Sequence, residues 1–186
     1  MTADPDWQPR LESERLIVRP LEESDRDALY AVAADPMVWE QHPMHDRWRR
    51  EVFDKLFDEC LASGGSLAVI RKSDDSMVGH SRYDRYDPEN GGSVEIGWTF
   101  LATACWGKGL NRELKRAMLG HAFRYVARVD FRVGETNYRS RQALDNIGAA
   151  RDPERYDLDR YQGRRVVHLY YTIDRAGFVE GPLSTD

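Results

Sequence analysis

The residues of this chain best suited to chemistry lie in the segment Trp106–Asn111, which reads Trp-Gly-Lys-Gly-Leu-Asn. The segment joins a stretch with strand alternation to a stretch with helix periodicity. Glycine has no Cβ, so the main chain there can approach a ligand closely. The first amides of a helix have no partner within the helix, and the helix dipole adds partial positive charge. With the ammonium of Lys108, these features predict a site for a phosphate or a diphosphate.

Two common phosphate-binding motifs do not fit this segment. The dinucleotide fingerprint needs three spaced glycines and an acidic residue about 20 positions later, and the P-loop needs Ser or Thr after Gly-Lys. Here Gly109 follows Lys108. Taken alone, Gly-Lys-Gly also fits a plain glycine turn into a helix.

The elements that position this loop follow from the periodicity of apolar residues. The range Ser93–Leu101 alternates as a strand, which predicts Val94, Ile96, Trp98 and Phe100 on one face and Glu95, Gly97, Thr99 and Leu101 on the other. An apolar stripe predicts a long amphipathic helix over 110–127.

The other elements predict an α+β fold, a mixed sheet with helices packed against it. We expect further strands at 15–20, 66–72, 77–83, 129–133 and 165–174, and further helices at 25–35, 46–62 and 140–146. The chain shows no internal repeat and no linker. We therefore expect one domain over residues 1–186, with loose tails at 1–13 and 179–186.

Composition excludes several classes of protein. The 186 residues are 41% hydrophobic and carry a formal net charge of −5, which disfavours a nucleic-acid binder because such proteins need a positive surface. No run approaches the roughly 18 apolar residues that a membrane span requires. The two cysteines predict free thiols in a reducing cytoplasm. No cluster has metal-ligand spacing, so we expect no metal.

The loop resembles the pyrophosphate loop of the GNAT superfamily of N-acetyltransferases, whose pattern is [Gln/Arg]-x-x-Gly-x-[Gly/Ala]. Gly109 matches the first glycine, whereas Trp106 and Asn111 replace the outer residues. The form Trp-Gly-x-Gly-x-Asn, followed by Glu113, is similar to the branch that includes the ribosomal-protein alanine N-acetyltransferases. Four more segments resemble that branch in order: Glu14–Leu21, Val94–Trp98, Asn137–Leu144 and Ile147–Ala149.

The resemblance spans residues 12 to 175 and implies a fold, a co-substrate and a reaction. The fold is a mostly antiparallel central sheet with splayed strands and flanking helices. The co-substrate is acetyl-CoA. The reaction moves its acetyl group to a primary amine, on a protein N-terminus or a small molecule, and a homodimer is an expected assembly.

The resemblance also implies roles for individual residues. Main-chain groups of Thr99, Phe100 and Leu101 would pair with the pantetheine arm, and Asn137 would hydrogen-bond to it. Ser140 would protonate the leaving thiolate or hydrogen-bond to it. The pyrophosphate would be held by the amides of Gly107, Lys108, Gly109, Leu110, Asn111 and Arg112.

Glu95 is the candidate base, because a carboxylate between Val94 and Ile96 on a covered strand is costly without a role or a partner. The alternative is that Glu95 faces solvent or pairs with an arginine. Ser140 could equally be a helix cap, and Asn137 could support a left-handed turn. Three tyrosines remain possible acids: Tyr156, Tyr170 and Tyr171.

The acceptor is expected between Trp39–Pro43 and the segment 152–164, and the acidic net charge favours a cationic acceptor. Trp39 could instead pack into the core. Two other functions remain open from the sequence. One is a CoA-binding module without catalysis, and the other is a binder of a different phosphoanion.

Overall fold

The computed structural model describes residues 4–184, and a single eight-stranded sheet runs through them in the order β1-β2-β3-β4-β5-β6-β8-β7. The strands are β1 Leu11–Glu12, β2 Leu16–Pro20, β3 Ser66–Arg71, β4 Ser76–Asp87, β5 Ser93–Leu101, β6 Arg128–Gly134, β7 Ala150–Tyr161 and β8 Arg164–Asp174. The helices are α1 Arg26–Ala33, α2 Pro36–Trp39, α3 Arg50–Ala62, α4 Leu110–Ala122, α5 Tyr138–Asn146 and α6 Arg175–Glu180.

Strands β5 and β6 diverge, and this divergence shapes the site. They are the one parallel pair among the described strands, and they pair only from Ser93–Glu95 to Arg128–Asp130. Beyond Glu95, β5 keeps β4 on one side and has no strand on the other. The predicted α+β fold, with a mostly antiparallel sheet and splayed strands, is confirmed.

A β-bulge lies on β5 where the gap opens. His80 of β4 pairs with Phe100 and Arg82 pairs with Gly97, so Trp98 and Thr99 share one position of β4. Trp98 has φ +51°, which is uncommon for a residue with a side chain. The His80 ring stabilises this turn through a 2.9 Å hydrogen bond between Nδ1 and the Trp98 carbonyl. Burial lowers the pKa of His80 to about 4, so the neutral ring donates this bond.

The bulge corrects the predicted faces of β5. Val94, Ile96 and Leu101 belong to the apolar cluster that includes α4. Phe100 belongs to the cluster that includes α1 and α3, and Trp98 packs against it. The prediction that Val94 and Phe100 share a face was wrong, because an extra residue in a strand shifts every later side chain to the opposite face.

Each face of the sheet carries its own apolar cluster. Leu67 and Val69 of β3 join the α4 cluster, whereas Ala68 between them joins the α1–α3 cluster. Helix α4 presents Leu114 and Met118 to the first cluster, and both are fully buried. The helix ends at Ala122 rather than at the expected residue 127.

The tails are packed where the structure describes them, so the expectation of loose tails was wrong there. Trp7 lies against Tyr83 and Tyr125, with ring centroids 5.2 and 5.7 Å apart. At the other end, α6 is followed by Leu183, which is 1% exposed. The apolar side chains of Trp7 and Leu183 supply the burial that orders these ends. Residues 1–3 and 185–186 lie outside the described residues.

The segment 152–164, which was expected to cover the acceptor and for which no element was predicted, mostly forms strand β7. It pairs antiparallel with β8, with a register shift between Asp152 and Tyr156. Charged residues fill β7, and most of its side chains are exposed, because it is the edge strand of the sheet. Its sequence therefore lacks the apolar alternation from which strands are predicted.

Leu183 gives a direct test of the packed C-terminal segment. We expect Leu183→Ala to lower the free energy of unfolding by about 2–5 kcal/mol, because the substitution leaves a cavity in the core. Val179→Ala, at a side chain that is 62% exposed, is the matched control and should change it by less than about 0.5 kcal/mol. Urea unfolding followed by circular dichroism measures both. Equal stability of the two variants would contradict the packing described here.

Candidate active site

The loop before α4 presents main-chain nitrogens that are not used within the fold. Gly107 and Gly109 have φ of +70° and +78°, and Gly109 is the N-cap of α4 without any side-chain cap. Within residues 4–184, no hydrogen bond is donated by the amides from Gly107 to Asn111. Such a cluster of amides at a helix start is suited to binding an anion.

Side-chain hydrogen bonds hold this loop without using its main-chain amides. Trp106 Nε1 donates to the Leu101 carbonyl at 3.0 Å, and Arg15 NH1 donates to the Lys108 carbonyl at 2.9 Å. Arg15 is itself held by Glu113, with Nε 2.7 Å from Oε2. The Arg112 guanidinium donates to the Pro182 carbonyl. The loop is therefore shaped before any ligand binds.

Helix α5 begins on the other side of the gap and faces this loop. The Arg139 guanidinium lies 3.9 Å from the centroid of the Trp106 ring. Its amide donates to Gln41 Oε1 at 2.9 Å, which ties α5 to the segment after α2. The structure thus brings the Trp106–Asn111 loop and the Asn137–Ser140 segment together.

Asn137, not Ser140, caps helix α5. The Asn137 Oδ1 accepts a hydrogen bond from the Ser140 amide at 3.2 Å. Ser140 is the third residue of the helix, and its hydroxyl forms no hydrogen bond in the described part of the chain. The capping alternative was wrong for Ser140, whose hydroxyl is available to a ligand. In Asn137 the cap uses the side-chain oxygen Oδ1 and leaves the side-chain nitrogen Nδ2 available.

Glu95 lies buried at the point where the gap opens, and it is 5% exposed. Its Oε2 is 3.1 Å from Arg85 NH1, and its cross-strand neighbour is Asp130. Gly97 makes room for the carboxylate, because a Cβ at Gly97 would be 3.1 Å from Glu95 Oε1. Burial raises the pKa of Glu95, and the attraction of Arg85 opposes that rise. Glu95 therefore combines the burial expected of a base with the arginine partner of the alternative interpretation.

The three candidate tyrosines occupy different places. Tyr170 donates to Asp157 Oδ2 at 2.8 Å and accepts from Arg85, the partner of Glu95. Burial and the Asp157 carboxylate raise the pKa of Tyr170. The Tyr171 hydroxyl accepts from Arg141 Nε at 3.3 Å. Tyr156 is 58% exposed on the wall of a large cavity.

Lys115 is a buried cation that the sequence analysis missed. Its Nζ lies 2.6 Å from Thr99 Oγ1 and 3.5 Å from Ser81 Oγ, and it faces the Phe131 ring at 5.8 Å. Within residues 4–184 it forms no ion pair, and burial lowers its pKa to about 7. A lysine in an amphipathic helix is ordinarily read as exposed. One hint of its burial was present in the sequence, because Lys115 directly follows Leu114 of the apolar stripe.

A cavity of about 1320 Å³ lies between the segment after α2 and the β7–β8 hairpin. Glu40, Gln41, His42 and Pro43 line it, as the sequence analysis expected of the acceptor side. Trp39 does not line it. The indole of Trp39 is 3% exposed and donates to the Ala33 carbonyl at 2.7 Å, so its core-packing alternative is correct.

The described residues contain neither a metal site nor a membrane-spanning helix. No group of three or more His, Cys, Asp and Glu side chains between residues 4 and 184 is placed to hold a metal ion. No helix in that range has the length and apolar composition that crossing a bilayer demands.

The low pKa of Lys115 predicts a pH dependence of stability. Above about pH 7 the folded protein holds a neutral amine, whereas the unfolded chain keeps it charged up to a pKa of ~10.4. The unfolded state then binds more protons, so the free energy of unfolding rises with pH by up to about 1.4 kcal/mol per unit. Lys115→Met should remove this rise, measured by urea unfolding between pH 6 and 9. The exposed Lys55→Met control should keep it, and a slope unchanged in Lys115→Met would contradict the prediction.

Comparison with known proteins now supplies the family. Residues 15–150 match the family model described as an acetyltransferase (GNAT) domain. A relative named "Uncharacterized N-acetyltransferase p20", from Bacillus licheniformis, is 26% identical over 173 residues, which are 89% of this chain and 96% of that protein. A GNAT-family structure from Chromobacterium violaceum has a TM-score of 0.83 at 19% identity, and covers 97% of this chain and 93% of its own.

RimJ from Mycobacterium smegmatis, solved with CoA-disulfide, is also similar in structure. Its TM-score is 0.73 at 18% identity, with 97% of this chain and 94% of that chain covered. At such identities the structures show the fold, and the family model, which matches more than half of the chain, shows the family. The chain belongs to the GNAT acetyltransferase family and is an acyl-CoA-dependent acetyltransferase.

Proposed function

We propose that this acetyltransferase moves an acetyl group from acetyl-CoA to a primary amine, and that the pantetheine arm lies in the gap between β5 and β6. The observation that carries the proposal is that two sets of main-chain groups have no hydrogen-bond partner within the described fold. The amides at the start of α4 are available to an anion, and the edge of β5 beyond Glu95 has no strand partner. One end of CoA is a diphosphate, and its arm contains amide groups that can pair with a strand edge.

The co-substrate contacts follow from this placement. The amides of Gly107, Lys108, Gly109, Leu110, Asn111 and Arg112 hold the diphosphate, and the Lys108 ammonium adds a charge. Main-chain groups of Thr99, Phe100 and Leu101 pair with the pantetheine arm as an added strand would. Across the gap, the Asn137 side-chain nitrogen donates to the same arm, since its oxygen is already used by the Ser140 amide.

Glu95 accepts the proton that the acceptor must lose. An ammonium has no lone pair, so the amine attacks only after deprotonation. The raised pKa of the buried Glu95 carboxylate brings its basicity closer to that of an amine. The amine nitrogen then bonds to the acetyl carbon and the carbon–sulfur bond breaks. Ser140 donates a hydrogen bond to the departing thiolate, or gives it the hydroxyl proton and takes the second proton of the amine nitrogen in exchange.

The amide site is tested by calorimetry with CoA. Gly109→Asp keeps a residue that tolerates the left-handed region and places a negative charge where the diphosphate binds. We expect CoA affinity to fall at least tenfold, because a like charge in the site repels the ligand. Gly64→Asp is the matched control, since Gly64 has φ +71° and open space around it. No binding of CoA to the unaltered protein at millimolar concentration would overturn the proposal.

The role of Glu95 is tested by the pH dependence of thiol release. In the unaltered enzyme kcat/KM should fall as pH drops through the raised pKa of Glu95, because a protonated carboxyl cannot accept a proton. Glu95→Gln should lower kcat by roughly 10²–10⁴-fold and flatten that acid limb. CoA affinity should stay unchanged, and exposed Glu89→Gln should behave as the unaltered enzyme. Full activity of Glu95→Gln would show that another group accepts the proton from the amine.

A further inference from the structure

The large cavity concentrates arginine side chains that have no carboxylate partner. Arg151 and Arg165 line it and form no ion pair within residues 4–184. Arg164 also lines it and contacts the His45 ring, with NH2 2.9 Å from Nδ1. The carboxylates on the wall are few: Glu40 is 3.4 Å from Arg139, which leaves Glu135 to oppose three guanidinium groups.

In the described part of the chain, these three arginines lie together without a carboxylate partner although the chain is acidic overall. The chain has 32 acidic residues against 27 lysines and arginines, so carboxylates are in excess. Many arginines elsewhere pair with them, as Arg19 does with Asp25 at 2.7 Å and Arg132 with Asp157 at 2.6 Å. The three cavity arginines all come from the β7–β8 hairpin, on the side that faces the segment after α2. Their positive field is therefore directed into the cavity.

The same cavity also exposes apolar side chains. Met37, Trp48, Tyr138 and Tyr156 are between 41% and 65% exposed, and all four line it. Exposed apolar surface on this scale marks a binding site. The volume of about 1320 Å³ exceeds the roughly 300–1,000 Å³ of sites for small molecules. A short peptide segment with apolar side chains fits such a site better than a single small amine.

We infer that the acceptor is the N-terminus of a peptide that carries an apolar residue and acidic side chains within its first few positions. The inference rests on the proposed function and specifies its acceptor. The N-terminal amine enters the gap, the apolar side chain lies against the aromatic wall, and carboxylates bind Arg151 and Arg165. Guanidinium groups bind carboxylates through two parallel hydrogen bonds. This local field replaces the expectation, drawn from net charge, of a cationic acceptor.

The test compares peptide acceptors that differ only at positions 3 and 4. Three amidated hexapeptides begin with Ala-Phe, and their next two residues are both aspartate, both asparagine or both lysine. Free phenylalanine represents a small amine that also carries a carboxylate. We expect kcat/KM for the aspartate peptide to exceed that for the asparagine peptide by roughly tenfold or more, since charged hydrogen bonds are the strong ones. The lysine peptide should be the poorest peptide substrate.

Variants test whether the cavity arginines cause the preference for the aspartate peptide. The double variant Arg151→Gln, Arg165→Gln should remove the advantage of the aspartate peptide over the asparagine peptide. Arg124→Gln, at an exposed arginine outside the cavity, should keep the advantage. Circular dichroism and acetyl-CoA calorimetry show that each variant is folded and competent.

The outcomes separate this inference from the proposed function. Absence of acetyl-CoA binding defeats the proposed function itself. Binding and turnover without a preference for the aspartate peptide overturn the inference alone. A preference that the double variant retains also overturns the inference. Faster turnover of free phenylalanine than of every peptide would overturn it too, because the acceptor would then be a small amino acid.

Discussion

The parting of β5 from β6 after Glu95 is the constraint on which the remaining features depend. In a sheet, main-chain amides and carbonyls are satisfied by the neighbouring strand. Here the edge of β5 is left open in the interior of the molecule, between two layers of helices. A ligand with its own amide groups can complete that edge. Under the proposed function, this open edge is where the pantetheine arm binds.

The gap also collects polar groups that a closed sheet would exclude. Glu95 lies buried at its vertex, and the Lys115 ammonium lies beside Thr99 and Phe131. Burial costs both side chains their solvation by water. Arg85 partly offsets this cost for Glu95, and two hydroxyl groups partly offset it for Lys115. Burial shifts the pKa of Glu95 upward and that of Lys115 downward. These opposite shifts bring the pKa of a carboxyl group and the pKa of an amine closer together, as happens at functional sites.

Two surfaces with different electrostatics belong to the proposed site. The α4 start offers amides whose loop is held by Trp106 and Arg15 through carbonyl oxygens. The cavity on the acceptor side instead carries guanidinium groups from the β7–β8 hairpin above an apolar wall. The first surface suits a compact anion and the second an extended chain with dispersed carboxylates. Under the proposed function, donor and acceptor are recognised by separate physical means.

Local patterns in the sequence determined much of the fold and the co-substrate loop, because glycines at 107 and 109 and the stripe from Leu110 act over neighbouring residues. Tertiary structure decided what depends on pairing between distant segments. The bulge at Trp98 reversed the faces of β5, and it rests on a bond from His80 on another strand. Strand β7 was not predicted because it lacks apolar alternation, and the burial of Lys115 was not predicted because a charged side chain is expected to be exposed. Charge and periodicity are local properties, whereas register and burial are set by contacts across the chain.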